Sequence, residues 1–462
     1  MSISDTHHTA DHNSRVRRAA RTRGNVDTSR LLEWSVWLSL LSVLYSEVTG
    51  SASIAMVGSY NLSVTDPLLI VAFFALFFSI AQKGLSAKIH TIIIVLFSLI
   101  FAINFLAGMS ISPDKAFLSL RAYGLFAIFL LIGAIGSNAV ALSRTFERAI
   151  YPISAALCVL VALRLAFGAD LFIYTQEISA VGVNDGGRPL STFGTMILGV
   201  TAVFALSRLI ADEKPPKWTA AIFAGLVAAI LVTGQGTATI ASSIGLALVM
   251  LLQRGRQHGA RIAFTIAAGL LVAVVLTVTS NVSDPSFYSA VLPEDLAKNL
   301  TRRQGNYQTR LQAWQGILTA YADADPIKKM IGWPSGTSPY VEIVNRKWGR
   351  IVWTVSAHSM YIGTLISHGA IGVALFIALL VTRLISLATE YLSKAPQFLH
   401  TPRLIAALIM IAIFSYSYDL RNEGGLILAV TLIGAQAFYQ TKQQGPTRDQ
   451  SPQARRRLSA SA

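Results

Sequence analysis

The sequence predicts an all-α polytopic membrane protein of about twelve transmembrane helices, with one large external loop between the ninth and the tenth. Three observations predict it. Of 462 residues, 53% are hydrophobic and only 13% are charged, with a mean hydropathy of +0.54; soluble domains carry roughly 25% charged residues. Apolar runs long enough to cross about 30 Å of hydrocarbon recur along the chain. The positive charges alternate between loops as they do between a cytoplasmic and an external side.

The elements follow in order. Residues 1–30 are polar and basic, too long and too hydrophilic for the leading region of a cleaved signal peptide. They read as a disordered cytoplasmic tail, in which His7 and His8 are solvated, and the apolar run after them reads as a retained span. The runs fall at 31–48, 67–82, 89–109, 115–137, 147–167, 190–209, 218–233, 237–253, 262–280, 357–381, 404–418 and 425–439. Residues 31–280 thus hold helices one to nine, 281–356 form the external loop, and 357–440 hold helices ten to twelve. Residues 441–462 form a second disordered basic tail, suited to anionic headgroups.

With both termini inside, the cytoplasmic segments carry 24 Lys and Arg and the external ones 12, of which nine lie in residues 281–356. Long loops translocate whatever their charge, so the short loops decide, at 24 to 3. The net charge of +15 therefore follows membrane sidedness and implies no nucleic-acid partner. A single cysteine, Cys158, excludes an intramolecular disulfide and a multi-cysteine metal site, and reads as a small buried hydrophobe. No internal repeat is visible, which counts against an inverted-repeat transporter.

The external loop has nine Lys and Arg against six Asp and Glu and is rich in Trp and Tyr. Cations with aromatics suit phosphates and sugar faces; the same aromatics also serve as interfacial anchors. Within it, NYQTRLQAWQGILTAYADADP reads as an amphipathic helix with Leu311, Trp314, Leu318 and Tyr321 on one stripe, ended by Pro326. Arg310 and Trp314, four apart, share a face, and Arg303 lies seven residues before Arg310. A row of arginines beside an aromatic suits a bidentate grip on pyrophosphate; a solvated basic face is the other reading. Asp323 and Asp325 read as a solvated helix end, or as a pair of oxygen donors for a divalent cation.

The stretch SAHSMYIGTLISHGAIG sets His358 at the mouth of the tenth run and His368 inside it, about 15 Å further along a straight helix. An ionisable group in an apolar run needs a reason. His358 has the unperturbed pKa of a general base, or else caps the span. His368, beside Gly369 and Gly372, reads as a buried, hydrogen-bonded packing residue. Arg121, in the outer half of the fourth run, either reaches an external site or snorkels. Glu33, Glu47 and Arg164 lie near span ends or snorkel. Asp419, Arg421 and Glu423 form an external turn.

R-x-x-x-W in an outer loop between spans nine and ten, then the glycine turn IGWPSG, then A-H-S-x-Y opening an apolar helix with G-x-x-G, form an ordered set. This set resembles the bacterial O-antigen ligase and polysaccharide polymerase superfamily, by motif over about residues 185–380 and by topology over the whole chain. The family's R-x-x-x-W falls on Arg310 and Trp314, its H-N-x-Y on His358 and Tyr361, and an outer arginine before T-F-G on Arg188. Ser359 stands where asparagine is usual. The Ser-Arg pair at the start of span eight is missing from GQGTATIAS, which moves a third arginine contact to Arg302, Arg303 or Arg421 or removes it.

The resemblance implies a GT-C-like, inverting, metal-independent glycosyltransferase without a cofactor, in the inner (cytoplasmic) membrane with its active site on the periplasmic side. The donor is an undecaprenyl-pyrophosphate-linked glycan, and the acceptor a sugar hydroxyl of another lipid-linked glycan or of lipid A core. Arg188 and Arg310 then neutralise the leaving pyrophosphate and His358 is the base, with Arg302, Arg303, Trp314, Tyr361, Arg421 and Arg121 binding substrate. A polymerase for O-antigen or exopolysaccharide, working with a chain-length regulator protein, is the expected activity. O-antigen ligase is the alternative, and a lipid-linked glycan flippase or transporter is the contrasting class.

Overall fold

The computed structural model describes residues 28–49, 53–57, 60–63, 65–83, 89–168, 171, 189–211, 217–233, 236–254, 310–345, 349–354, 359–392 and 401–417. The first apolar run forms α1 (Thr28–Thr49) and the second α2 (Thr65–Lys83). Between them in the chain lies an antiparallel hairpin of β1 (Ser53–Val57) and β2 (Tyr60–Ser63), in which Val57 pairs with Tyr60. Then follow α3 (Ile89–Ile111), α4 (Pro113–Ser119), a π-helical turn (Leu120–Gly124), α5 (Leu125–Ala134), α6 (Gly136–Phe167), α7 (Thr192–Ala211), α8 (Lys217–Val232) and α9 (Gly236–Arg254).

In the long segment expected as the external loop, α10 is described over 310–322, followed by α11 (Pro326–Ile331) and a hairpin of β3 (Tyr340–Asn345) and β4 (Gly349–Thr354). The chain re-enters the bundle as α12 (Met360–Leu392) and α13 (Thr401–Ser417).

Among the described residues, six stretches are long and apolar enough to cross a membrane: Thr28–Thr49, Thr65–Gln82, Ile89–Ile111, Leu142–Phe167, Phe193–Ile210 and Met360–Leu392. Four shorter apolar helices, Leu125–Ala134, Trp218–Val232, Thr237–Gln253 and Thr401–Tyr416, fall on four more of the expected runs. The runs at 262–280 and 425–439, and both basic tails, lie outside the described residues. The two hairpins depart from the all-α expectation. Both are short, and YVEIVN and GRIVWT carry the β-branched residues that favour a pleated surface.

Two runs expected as single spans are interrupted. The fourth is assembled from α4, the π turn and α5. Pro113 stands in the first turn of α4, where its missing N–H costs no ladder bond, so it opens a new helix. The tenth is broken at Gly369, whose φ of 65° and ψ of −168° interrupt α12. The rings of Tyr361 and Phe376 lie 5.7 Å apart, whereas fifteen residues of straight helix span about 22 Å. Limbs 360–368 and 370–392 therefore meet at a sharp bend.

Packing is arranged around α12 and α7. α3 and α13 flank α12, α11 rests on it, and α9 sits between α7 and α13, while α1 packs on α6 and α2. One large core cluster of Leu, Ile, Ala and Phe runs through these helices. Ile70, Phe73, Phe77, Leu99 and Leu106 stand exposed on the outside of the bundle, where only lipid offers them a favourable surrounding.

Candidate functional site

The break in α12 is where the segment between α9 and α12 meets the bundle. A break releases nearby carbonyls from the helical ladder, and buried carbonyls need other donors. Trp333 N donates to Ile366 O at 2.8 Å, and Asn104 Nδ2, from α3, donates to Ser367 O at 2.9 Å. The same Asn104 amide donates to Ile331 O, and Ser335 N donates back to Asn104 O at 2.9 Å.

Two glycines make the fit possible. A Cβ on Gly369 would collide with the backbone of Met330, and one on Gly332 (φ 91°) would lie 2.5 Å from His368 N. Positive φ at both positions is a conformation only glycine takes at low cost. The IGWPSG turn singled out in the sequence is thus a plug seated in the break.

Arg310 and Trp314 lie on α10, which packs on this plug through Trp314. Trp314 is 7% exposed and packs with Ala313, Ile317, Trp333 and Ile366. Its ring also meets Tyr416 of α13 edge-on at 5.3 Å. The buried stripe differs from the expected one in one member: Ile317 is fully buried and Leu318 is 46% exposed. Helical periodicity gives the face to within about one position, and docking onto Ile366 selects the phase. Arg310, half-buried, precedes Trp314 by one turn, so the packing of the indole also sets where the guanidinium stands.

Tyr361 is half-buried on the short limb of α12, and its hydroxyl donates to Ala412 O of α13 at 3.1 Å. Ser359, the departure from the family's asparagine, is buried, and its carbonyl accepts Gly363 N at 2.8 Å, opening that limb. His368 is fully buried, as expected of a packing residue. It stacks on Phe97 at 4.4 Å, meets Tyr123 edge-on at 4.8 Å, and its Nδ1 shares a hydrogen with Ser367 Oγ at 2.7 Å. Arg121, in the π turn, is held by Asp66 in a bidentate pair, Nε to Oδ1 and Nη2 to Oδ2, both 2.7 Å. Asp66 Oδ2 also accepts Ser63 N at 2.8 Å, so the pair joins the first hairpin to the π turn.

Glu47 and Arg164 are buried, not snorkelling. Glu47 accepts Ser191 N at 2.9 Å and Gly194 N at 3.1 Å, together with the Ser191 hydroxyl, and so caps the first turn of α7. Arg164 donates to Pro189 O at 2.9 Å, Leu171 O at 3.3 Å and Glu47 O. These two residues fix the backbone that directly follows Arg188. Acidic and basic residues inside apolar runs were the sequence signal for them. Asn104, inside FAINFLAG, carried the same signal in weaker form and was missed.

Asp325 serves as the N-cap of α11, accepting Lys328 N at 2.9 Å and pairing with Lys328 Nζ at 2.9 Å. Pro326, expected to end a helix, begins this one. The side-chain hydrogen bond from Lys328, then its backbone N–H, hold the Asp325 carboxyl below the usual carboxylate range. That employment as a cap matches the helix-end reading. His358, Arg188, Arg302, Arg303 and Arg421 lie outside the described residues. The structure thus places Trp314 against the plug, Tyr361 on the short limb of the break, Arg310 one helical turn before Trp314, and Arg121 in a separate ion pair.

A polytopic helical membrane protein with a long inter-helix segment packed into its bundle is the class this architecture defines. Residues 220–377 match the family model described as O-antigen ligase. The match runs from α8 through the loop and the break of α12, and it bears out the resemblance to the O-antigen ligase and polymerase superfamily. It supports a function of that type in a multi-pass bacterial membrane protein, with a lipid-linked glycan and an acceptor as substrates. No curated protein matches the chain by sequence.

Proposed function

We propose that the chain is an inner-membrane polysaccharide polymerase that transfers glycan from an undecaprenyl-pyrophosphate carrier to an acceptor sugar hydroxyl on the periplasmic side. One observation carries the reading. The family match covers the whole of R-x-x-x-W, the plug and A-H-S-x-Y, and Trp314 packs on Ile366 of the limb that starts two residues after His358. In this reading His358 takes the proton of the acceptor hydroxyl as it attacks the anomeric carbon, which inverts the centre. Arg310 and Arg188 stabilise the charge that builds on the departing pyrophosphate. A pyrophosphate leaving group is already activated, so the reaction needs no metal or cofactor. Arg302, Arg303 and Arg421 extend the cationic rim, and a chain-length regulator sets the product size.

A second reading, ligase to lipid A core, is favoured by the family's own description. The glycan of a deletion strain separates the two. Single repeat units on lipid A core mean polymerase, and long chains left on the carrier mean ligase. His358→Ala tests the chemistry. With the protein at normal level in the membrane, transfer is expected to fall by about 10²–10⁴, the usual contribution of a general base. Unchanged long-chain glycan in that variant rules out the catalytic role and leaves a transporter or a non-catalytic assembly partner. Arg310→Lys keeps the charge but loses the fork, so it should lower transfer less than Arg310→Ala.

A further inference from the structure

We infer that residues 326–336 form a re-entrant element of the external loop that dips into the outer leaflet, with Ile327 and Met330 facing phospholipid acyl chains.

The depth is read from α3, whose 23 residues run from Ile89 to Ile111 with high hydropathy. Near the external turn, a Cβ on Gly336 would lie 2.6 Å from Lys115 Cβ, just past the end of α3. Further down, Ser335 N would be 2.8 Å from a Cβ on Gly108, and it bonds Asn104 O. Lower still, Ile331 O is held by Asn104 Nδ2. Asn104 lies seven residues, about 10 Å, inside the external end of α3. Met330 and Ile331 touch Gly369, whose neighbour His368 stacks on Phe97, deeper again. The segment therefore descends along α3 and reaches its lowest point at Met330 and Ile331.

Irregular backbone survives at membrane depth only where its polar groups are satisfied by protein. Here they are. Gly332 N donates to Lys328 O at 2.9 Å, Trp333 N to Ile366 O, Ser335 N to Asn104 O and Thr337 N to Pro334 O at 3.0 Å. The outward side chains match: Ile327 is 70% and Met330 51% exposed, alongside exposed Ile103 and Leu106 of α3. The apolar face of α11 thus continues the lipid-facing belt of the bundle. Lys328 and Lys329 are long enough to carry their ammonium groups up to the headgroups.

The test uses the full chain with Cys158→Ala, reconstituted in vesicles of phosphatidylethanolamine and phosphatidylglycerol. It is spin-labelled singly at Ile327→Cys, Met330→Cys and, as an aqueous reference, Asp323→Cys. At 327 and 330, collisions with dissolved oxygen should exceed those with a water-soluble nickel chelate, and the order should reverse at 323. The unlabelled thiols at 327 and 330 should also react with a charged methanethiosulfonate about tenfold more slowly than at 323, because an apolar surrounding suppresses the thiolate. Nickel collisions dominating at both positions would place the element in water and overturn the inference. Exclusion of both probes would mean that protein, the rest of the loop or a second copy, covers this face, and would overturn it too.

Discussion

Two segments between long helices are fastened to the helix bundle by opposite means. At the head of α7, residues 189–194 are held by a carboxylate and a guanidinium, Glu47 and Arg164, both buried. At the break of α12, residues 331–336 are held by backbone donors, the neutral amide of Asn104 and the absence of side chains at Gly332 and Gly369. The charged fastening is directional and strong, but each member becomes a liability if its partner is lost. The glycine fastening contains no charge, yet it tolerates no added atom. The first guards against electrostatic change and the second against volume.

The largest effect should come from volume. Gly369→Val requires a positive φ from a β-branched residue and drives a Cβ into Met330. A cost above about 4 kcal/mol is expected, seen as loss of monodisperse protein in detergent. Glu47→Ala comes next. It strands the N–H groups of Ser191 and Gly194 beside a buried guanidinium, for about 3 kcal/mol, read from the thermal midpoint. Glu47→Gln keeps the volume and one acceptor and should recover part of that loss; equal losses for both variants would show that the carboxylate's charge, not volume or a single acceptor, governs this fastening. Asn104→Leu should cost about 2 kcal/mol by orphaning the Ile331 and Ser367 carbonyls, with faster amide exchange confined to residues 331–336.

The smallest effect belongs to Asp325. Its carboxyl titrates below its unfolded value, so its contribution is present at neutral pH and fades as pH falls through the folded pKa. The midpoints of the native chain and Asp325→Ala should therefore converge only below about pH 4.

The existence of the helices was legible because hydropathy is a property of each segment alone. That is why the apolar runs fall on α1 to α9, α12 and α13. The break at Gly369 was not legible. G-A-I-G inside an apolar run looks like ordinary close helix packing until the Met330 backbone arrives from the loop. The choice of Ile317 over Leu318 depended on the same docking partner. Glu47 and Arg164 were visible as charges out of place, but their joint hold on Pro189 and Ser191 joins segments too far apart for any local pattern. Of the expected site residues, Arg310, Trp314 and Tyr361 came from the sequence motif; the docking of Trp314 against Trp333 and Ile366 came from the fold.

Asn104 also sets a schedule for assembly. Its two carbonyl partners lie 227 and 263 residues downstream. At about 5–20 residues per second, α3 emerges from the ribosome roughly 15–50 s before Ser367 exists. During that interval a side-chain amide waits in hydrocarbon without the acceptors that will eventually hold it. The nascent bundle is thus left ajar on one side until the tenth apolar run arrives, and the external loop locks into place as one of the last steps of biogenesis.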